Sequence, residues 1–229
     1  MPRIRYETYT TVFETVYAGL MTNALLTLSC APLVIVLMTT DPTRSWPLLA
    51  LLAPLTGPAL SGAFAVLAAH SAGLPATPAR TFTRVWRSSA RRAIPLVAAA
   101  TAIVVVLAVD VRFAWGRQAG ALVIPILVVA MILVVATTLL ALVVLSERPS
   151  VRLRDACRVS VYLAVRNWYL TLFSLAVLGL LEALLSTRPA VALGLAAAPL
   201  LYMVWAGSRF SLNVVLSAPR QPTEMRGAA

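Results

Sequence analysis

The stretch GALVIPILVVAMILVVATTLLALVVL, from Gly120 to Leu145, decides the fold class because it contains no charged residue. About 20 apolar helical residues suffice to cross a bilayer core of roughly 30 Å, and this run is longer. Lipid offers no water to unpaired amides, so such a run is expected to close its hydrogen bonds within a helix. Five more apolar runs lie around it, at 17–38, 46–69, 94–115, 168–186 and 190–216. The third borrows residues 111–115 to reach span length, and Arg209 interrupts the sixth. The expectation is an all-α, six-helix polytopic membrane protein. Residues 1–16 form a cytoplasmic N-terminal segment, 17–216 the membrane domain, and 217–229 a disordered cytoplasmic tail.

Composition agrees. The 229 residues are 60% hydrophobic and 12% charged, with mean hydropathy +0.88. A soluble domain carries about a quarter charged residues. Intrinsic disorder is excluded by the burial potential, and a disulfide scaffold by a cysteine count of 2. Glu7 and Glu14 precede the first span, unlike the basic lead of a signal peptide.

Orientation follows from the arginines, which supply all 19 basic residues and outnumber the 8 acidic ones to give a net charge of +11. With the N-terminus inside, only Arg44, Arg112, Arg117 and Arg188 fall outside, and the other 15 stay in. Cytoplasmic loops collect positive charge, so both termini are expected in the cytoplasm of a bacterial cell. Trp46, Trp115, Trp168 and Tyr169 stand at span ends, where amphipathic rings favour the headgroup layer.

Two inner segments carry most of this charge. In the first, Thr77-Pro78 reads as a helix start. Arg80, Arg84, Arg87 and Arg91 then recur at helical spacing along one stripe, with Phe82 and Trp86 opposite. Such a helix is expected to lie on the inner membrane surface against anionic headgroups; charge that merely holds the loop inside is the plainer reading. The second segment carries Arg154, Arg158 and Arg166, with Asp155 placed to pair with Arg158. Val161 and Val165 intrude on its polar side, so it is expected to pack against protein. A constant offset of 74 matches Arg84-Val85 to Arg158-Val159, Ala90 to Ala164, Arg92 to Arg166 and Leu96 to Leu170. Duplication and compositional bias both account for it.

Polar groups inside spans are functional-site hypotheses by default. Asn23, Arg209 and Asn213 are expected at similar depth near the inner ends of the first and sixth spans, with Arg209 placed to pair with Asn23. They outline a polar vestibule for an anionic or hydroxylated solute, against the simpler outcome of an arginine that snorkels. Thr56-Gly57-Pro58 is expected to break the second span, and Pro32, Pro54, Pro125 and Pro199 also interrupt spans. Glu182 and Asp110 lie near the outer ends of the fifth and third spans, as an acidic patch or as separate interfacial groups. No phosphate loop, dinucleotide fingerprint, iron–sulfur cysteine cluster or zinc motif is present. One histidine cannot build a metal site. No catalytic residue, cofactor, metal or nucleic-acid partner is expected.

Asn23, Pro54-Leu55-Thr56-Gly57-Pro58-Ala59, the Phe82/Trp86 basic helix, Leu153-Arg154-Asp155-Ala156 and Arg166-Asn167-Trp168-Tyr169-Leu170-Thr171-Leu172 occur in an order and spacing that resembles the YesL-like membrane proteins. The likeness covers nearly the whole chain, apart from an added stretch at 37–52. It implies a small multi-pass bacterial membrane protein encoded beside sugar ABC-importer and glycan-degradation genes. The expected function is therefore non-catalytic assistance of a carbohydrate uptake or utilisation system, with the two arginine segments as docking surfaces for anionic lipid or for the importer complex. The alternative is a small-solute carrier whose pathway runs past Thr56, Gly57 and Pro58 to Asn23, Arg209 and Asn213.

Overall fold

The computed structural model describes residues 3–74, 77–117, 120–147 and 153–216, and every regular element in them is helical. The side chains of residues 3–12, 42, 153, 156, 165, 189 and 211–216 lie outside that description, as do residues 1–2, 75–76, 118–119, 148–152 and the tail 217–229. In chain order the helices are α1 (Arg3–Ser29), α2 (Ala31–Thr39), α3 (Pro42–Leu52), α4 (Thr56–Ser71), α5 (Pro78–Ala114), α6 (Gly120–Glu147), α7 (Leu153–Arg166), α8 (Trp168–Thr187), the single turn α9 (Pro189–Val191) and α10 (Ala197–Leu216). A 3₁₀ turn, Ala53–Leu55, links α3 to α4, and a π-turn, Ala192–Ala196, links α9 to α10.

Four of these segments are long and apolar enough to cross a membrane: Thr43–Ser71, Pro78–Ala114, Gly120–Glu147 and Trp168–Thr187. A fifth crossing results if Phe13–Ser29 and Ala31–Thr39, bent by 74° at Cys30, span as one. The chain is thus a multi-pass membrane protein by helix length and hydropathy. The 190–216 run is not one regular α-helix, because the π-turn Ala192–Ala196 divides it; α10 continues unbroken through Arg209.

Three boundaries differ from the sequence reading. The first apolar run does not cross as a straight 17–38 helix. Pro32 has no amide hydrogen and its ring crowds the preceding turn, so the helix turns at Cys30 and restarts at Ala31. The second span breaks at Ala53–Leu55, around Pro54, and not at 56–58. Pro58 falls within the first turn of α4, where a missing amide hydrogen costs little. The third difference is larger. The basic segment and the third span form one unbroken 37-residue helix, and at 1.5 Å per residue this is about 55 Å of rod, well beyond a bilayer core.

The short connection after α2 is capped in the ordinary way. Asp41 accepts hydrogen bonds from the backbone amide and hydroxyl of Thr43 through Oδ1, at 2.9 and 2.8 Å, and so starts α3. Those two donors hold its carboxyl below the usual carboxylate range.

The buried core sits toward one end of the bundle. It is built from Ala59–Leu67 of α4, the first half of α5, Ala136 and Leu139–Leu145 of α6, and Ala197–Trp205 of α10. The opposite halves of α5 and α6 expose Ile103, Val106, Leu122 and Ile126, as lipid-facing surfaces do. Gly57 lets α4 and α5 touch: a Cβ there would stand 2.8 Å from the Ala93 carbonyl oxygen and from Val97 Cγ2. Small residues allow this approach where packing replaces the hydrophobic effect.

Candidate functional site

Along the N-terminal half of α5, Thr81, Phe82, Ser89 and Ala93 are buried. Phe82 lies against α4: a Cβ on Gly62 would meet its ring at 3.0 Å. Trp86 is half-buried against the same core. The aromatic face expected to meet acyl chains is therefore covered by protein. Arg80, Arg84, Arg87 and Arg91 point away from it, exposed, with no acidic partner among the described residues. They form a ridge of cations on a rigid continuation of a membrane helix, with Thr77, Thr81, Thr83 and Ser88 beside Arg80, Arg84 and Arg87 around an open concavity.

The second basic segment, α7, packs mainly on α6 and buries Ser160, Leu163 and Ala164. Arg154, Arg158 and Arg166 are exposed. The expected Asp155–Arg158 pair does not form. Arg166 instead donates from Nη1 to the Tyr162 hydroxyl at 3.3 Å, with its guanidinium carbon 5.9 Å from that ring.

The expected vestibule is not assembled. Asn23 is buried and its amide reaches the π-turn: Nδ2 donates to the Gly194 carbonyl at 2.9 Å, and Oδ1 accepts from the Ala198 amide at 2.7 Å. Arg209 does not pair with Asn23. It lies over the Trp205 ring at 5.1 Å, donates from Nη1 to Ser71 Oγ at 3.4 Å, and stands 3.9 Å from Glu147. Arg209 lies 11 positions after Ala198 along α10, so the two polar groups stand about 16 Å apart in depth. The Asn213 side chain lies outside the described residues.

Those Arg209 contacts, with Thr15 Oγ1 at 3.2 Å from His70 Nε2, gather α1, the ends of α4 and α6, and α10 at one end of the bundle.

The hydroxyls within the spans are mostly occupied by their own helices. Thr56 donates to the Ala53 carbonyl, Ser61 to Gly57, Thr22 to Ala18 and Ser208 to Val204. Gly57 and Pro58 are buried in the α4–α5 contact, so the 56–58 segment serves packing and opens no polar pathway there. Two small recesses are water-sized. One of about 20 Å³ lies beside Thr171, Ser174 and Ser208, and one of about 30 Å³ beside His70 and Thr81. Among the described residues, no group of three or more His, Cys, Asp or Glu could hold a metal ion.

Sequence reasoning missed the Glu147–Arg209 contact and the role of Gly194. Pro199 signalled an interruption in the sixth run, but nothing in the sequence named Asn23 as the group that fills it. No family model, curated protein or solved structure matches this chain. The YesL-like resemblance accordingly rests on its own motifs.

Proposed function

We propose that this chain is a non-catalytic protein of the bacterial cytoplasmic membrane that assists a carbohydrate uptake or utilisation system. It docks there through the α5 ridge. In this reading α10 completes a sixth crossing, both termini are cytoplasmic, and the arginine-rich ends of α5 and α7 share the inner face. The observation that carries it is the ridge itself: Arg80, Arg84, Arg87 and Arg91 lie exposed with no acidic partner among the described residues, while the opposite face of the same helix is locked onto α4. A rigid, uncompensated row of guanidiniums suits an acidic protein surface, since each planar fork can take a carboxylate in two hydrogen bonds. Charge complementarity of this kind sets partner choice and encounter rate. The sugar-importer assignment comes from the YesL-like resemblance.

The carrier alternative has less support. Its proposed lining, Thr56, Gly57, Pro58 and Asn23, is spent on helix contacts, and Arg209 is engaged elsewhere.

The test is affinity purification from native membranes. The wild-type chain should bring down a membrane transport complex, and Arg84→Glu with Arg87→Glu should reduce that recovery most at low salt, where exposed charges are least screened. If nothing co-purifies and deletion leaves growth on glycans unchanged, the proposal fails.

A further inference from the structure

Helix α7 ends at Arg166, Asn167 leaves helical geometry at φ −107°, ψ 48°, and the span Trp168–Thr187 begins at the next residue. Its last two turns therefore lie within about 10 Å of the membrane boundary whatever the tilt of α7, because seven residues rise no further. One face, Ser160, Leu163 and Ala164, is buried in the bundle. The rest exposes two kinds of group side by side. Arg154, Arg158 and Arg166 supply charge, while Val159, Val161 and Tyr162 are 42%, 43% and 57% exposed. Trp168 and Tyr169 extend the apolar part into the first turn of α8.

In cytosol this would be an unexplained apolar patch. In the headgroup layer both halves are satisfied: aromatic rings settle at the acyl boundary and guanidiniums bond phosphodiester oxygens. Arg166 and Tyr162, joined by hydrogen bond and ring contact, present cation and ring at one depth. The α5 ridge lacks this combination, because Phe82 is already covered by Gly62 of α4.

We propose that the exposed face of α7, with the first turn of α8, is a docking surface for anionic phospholipid headgroups. The two basic segments thus divide the work: α7 grips the lipid surface and α5 is left free of it. This assignment stands independently of what α5 binds.

The test uses the full chain in vesicles of phosphatidylcholine with and without phosphatidylglycerol. A nitroxide is attached at Val161→Cys and, in a second sample, at Thr83→Cys, with Cys30 and Cys157 replaced by Ala. With phosphatidylglycerol present, the label at 161 should collide with oxygen in preference to a water-soluble nickel chelate. The label at 83 should show the reverse. Arg158→Gln with Arg166→Gln, or removal of phosphatidylglycerol, should lower the oxygen preference at 161. A second measurement needs no cysteine change: native mass spectrometry should find fewer phosphatidylglycerol molecules retained by the Arg158→Gln/Arg166→Gln chain than by wild type. Nickel accessibility at 161 equal to that at 83 in both lipids would overturn the proposal. So would a label at 161 sealed from both reagents by protein, or unchanged lipid retention in the double variant.

Discussion

Asn23 and Ala198 are joined across the bundle: the Ala198 amide donates to Asn23 Oδ1 at 2.7 Å, while Asn23 Nδ2 donates to the Gly194 carbonyl at 2.9 Å. In a regular α-helix the Ala198 amide and the Gly194 carbonyl would bond each other. A side-chain amide from α1 bonds both of them where the chain forms the π-turn Ala192–Ala196. Insertion of a side chain into the hydrogen-bond ladder is a recognised cause of helix distortion, and π-turns have this character. The polar group that looked like a solute contact is a structural clasp between the first and last parts of the membrane domain.

Removing the clasp should be costly in proportion. Asn23→Ala leaves two backbone groups of the π-turn without their partner. Interhelical hydrogen bonds in membranes average about 0.6 kcal/mol and reach about 1.7, so a loss of about 1–3 kcal/mol is expected. Unfolding in mixed micelles with increasing denaturing detergent measures it, and stability equal to wild type would show that the turn heals without Asn23.

Gly57→Ala should destabilise by about 1–3 kcal/mol, since the new methyl meets a backbone carbonyl that cannot rotate away. In Gly62→Ala the new methyl first meets the Phe82 ring, so Phe82→Leu should recover part of its loss. Gly179→Ala is the control. Nothing lies within 4 Å of its Cβ position, and thermal stability there should hold or rise slightly. Equal effects at Gly57 and Gly179 would contradict the close α4–α5 approach.

Arg209 should matter little for stability. Its side chain is 42% exposed and its distance to Glu147 is 3.9 Å, so solvent screening leaves a coupling of about 1 kcal/mol or less. A double-mutant cycle with Arg209→Gln and Glu147→Gln reads this directly. A coupling well above that range would mean a tighter pair than the present geometry holds.

Cys157 reports both side and burial. Partial burial on α7 disfavours the thiolate and raises its pKa, and maleimides react through the thiolate. In a Cys30→Ala chain, labelling by an impermeant maleimide should be slow at neutral pH. It should keep climbing at alkaline pH after an exposed thiol has levelled off. It should occur in inside-out vesicles and not in intact cells; the opposite sidedness would reverse the orientation assigned from the arginines.

Much of this protein was determined by sums along the chain. Four helices that can cross a membrane lie close to the runs expected, because crossing depends on the length of an uncharged stretch and little else. The exposed arginine stripe on α5 was legible for a similar reason, since helical spacing alone places Arg80, Arg84, Arg87 and Arg91 on one side. Other features depended on what each face meets. The sequence could place Phe82 opposite the arginines and Asn23 within a span, but could not say that Gly62 would cover one and the Gly194–Ala198 turn would hold the other. Lipid tails and packed helices are about equally apolar, so an apolar face carries no mark of which will cover it. That choice was made only when α4, α5, α1 and α10 came together, and it turned the expected polar vestibule into a set of helix contacts.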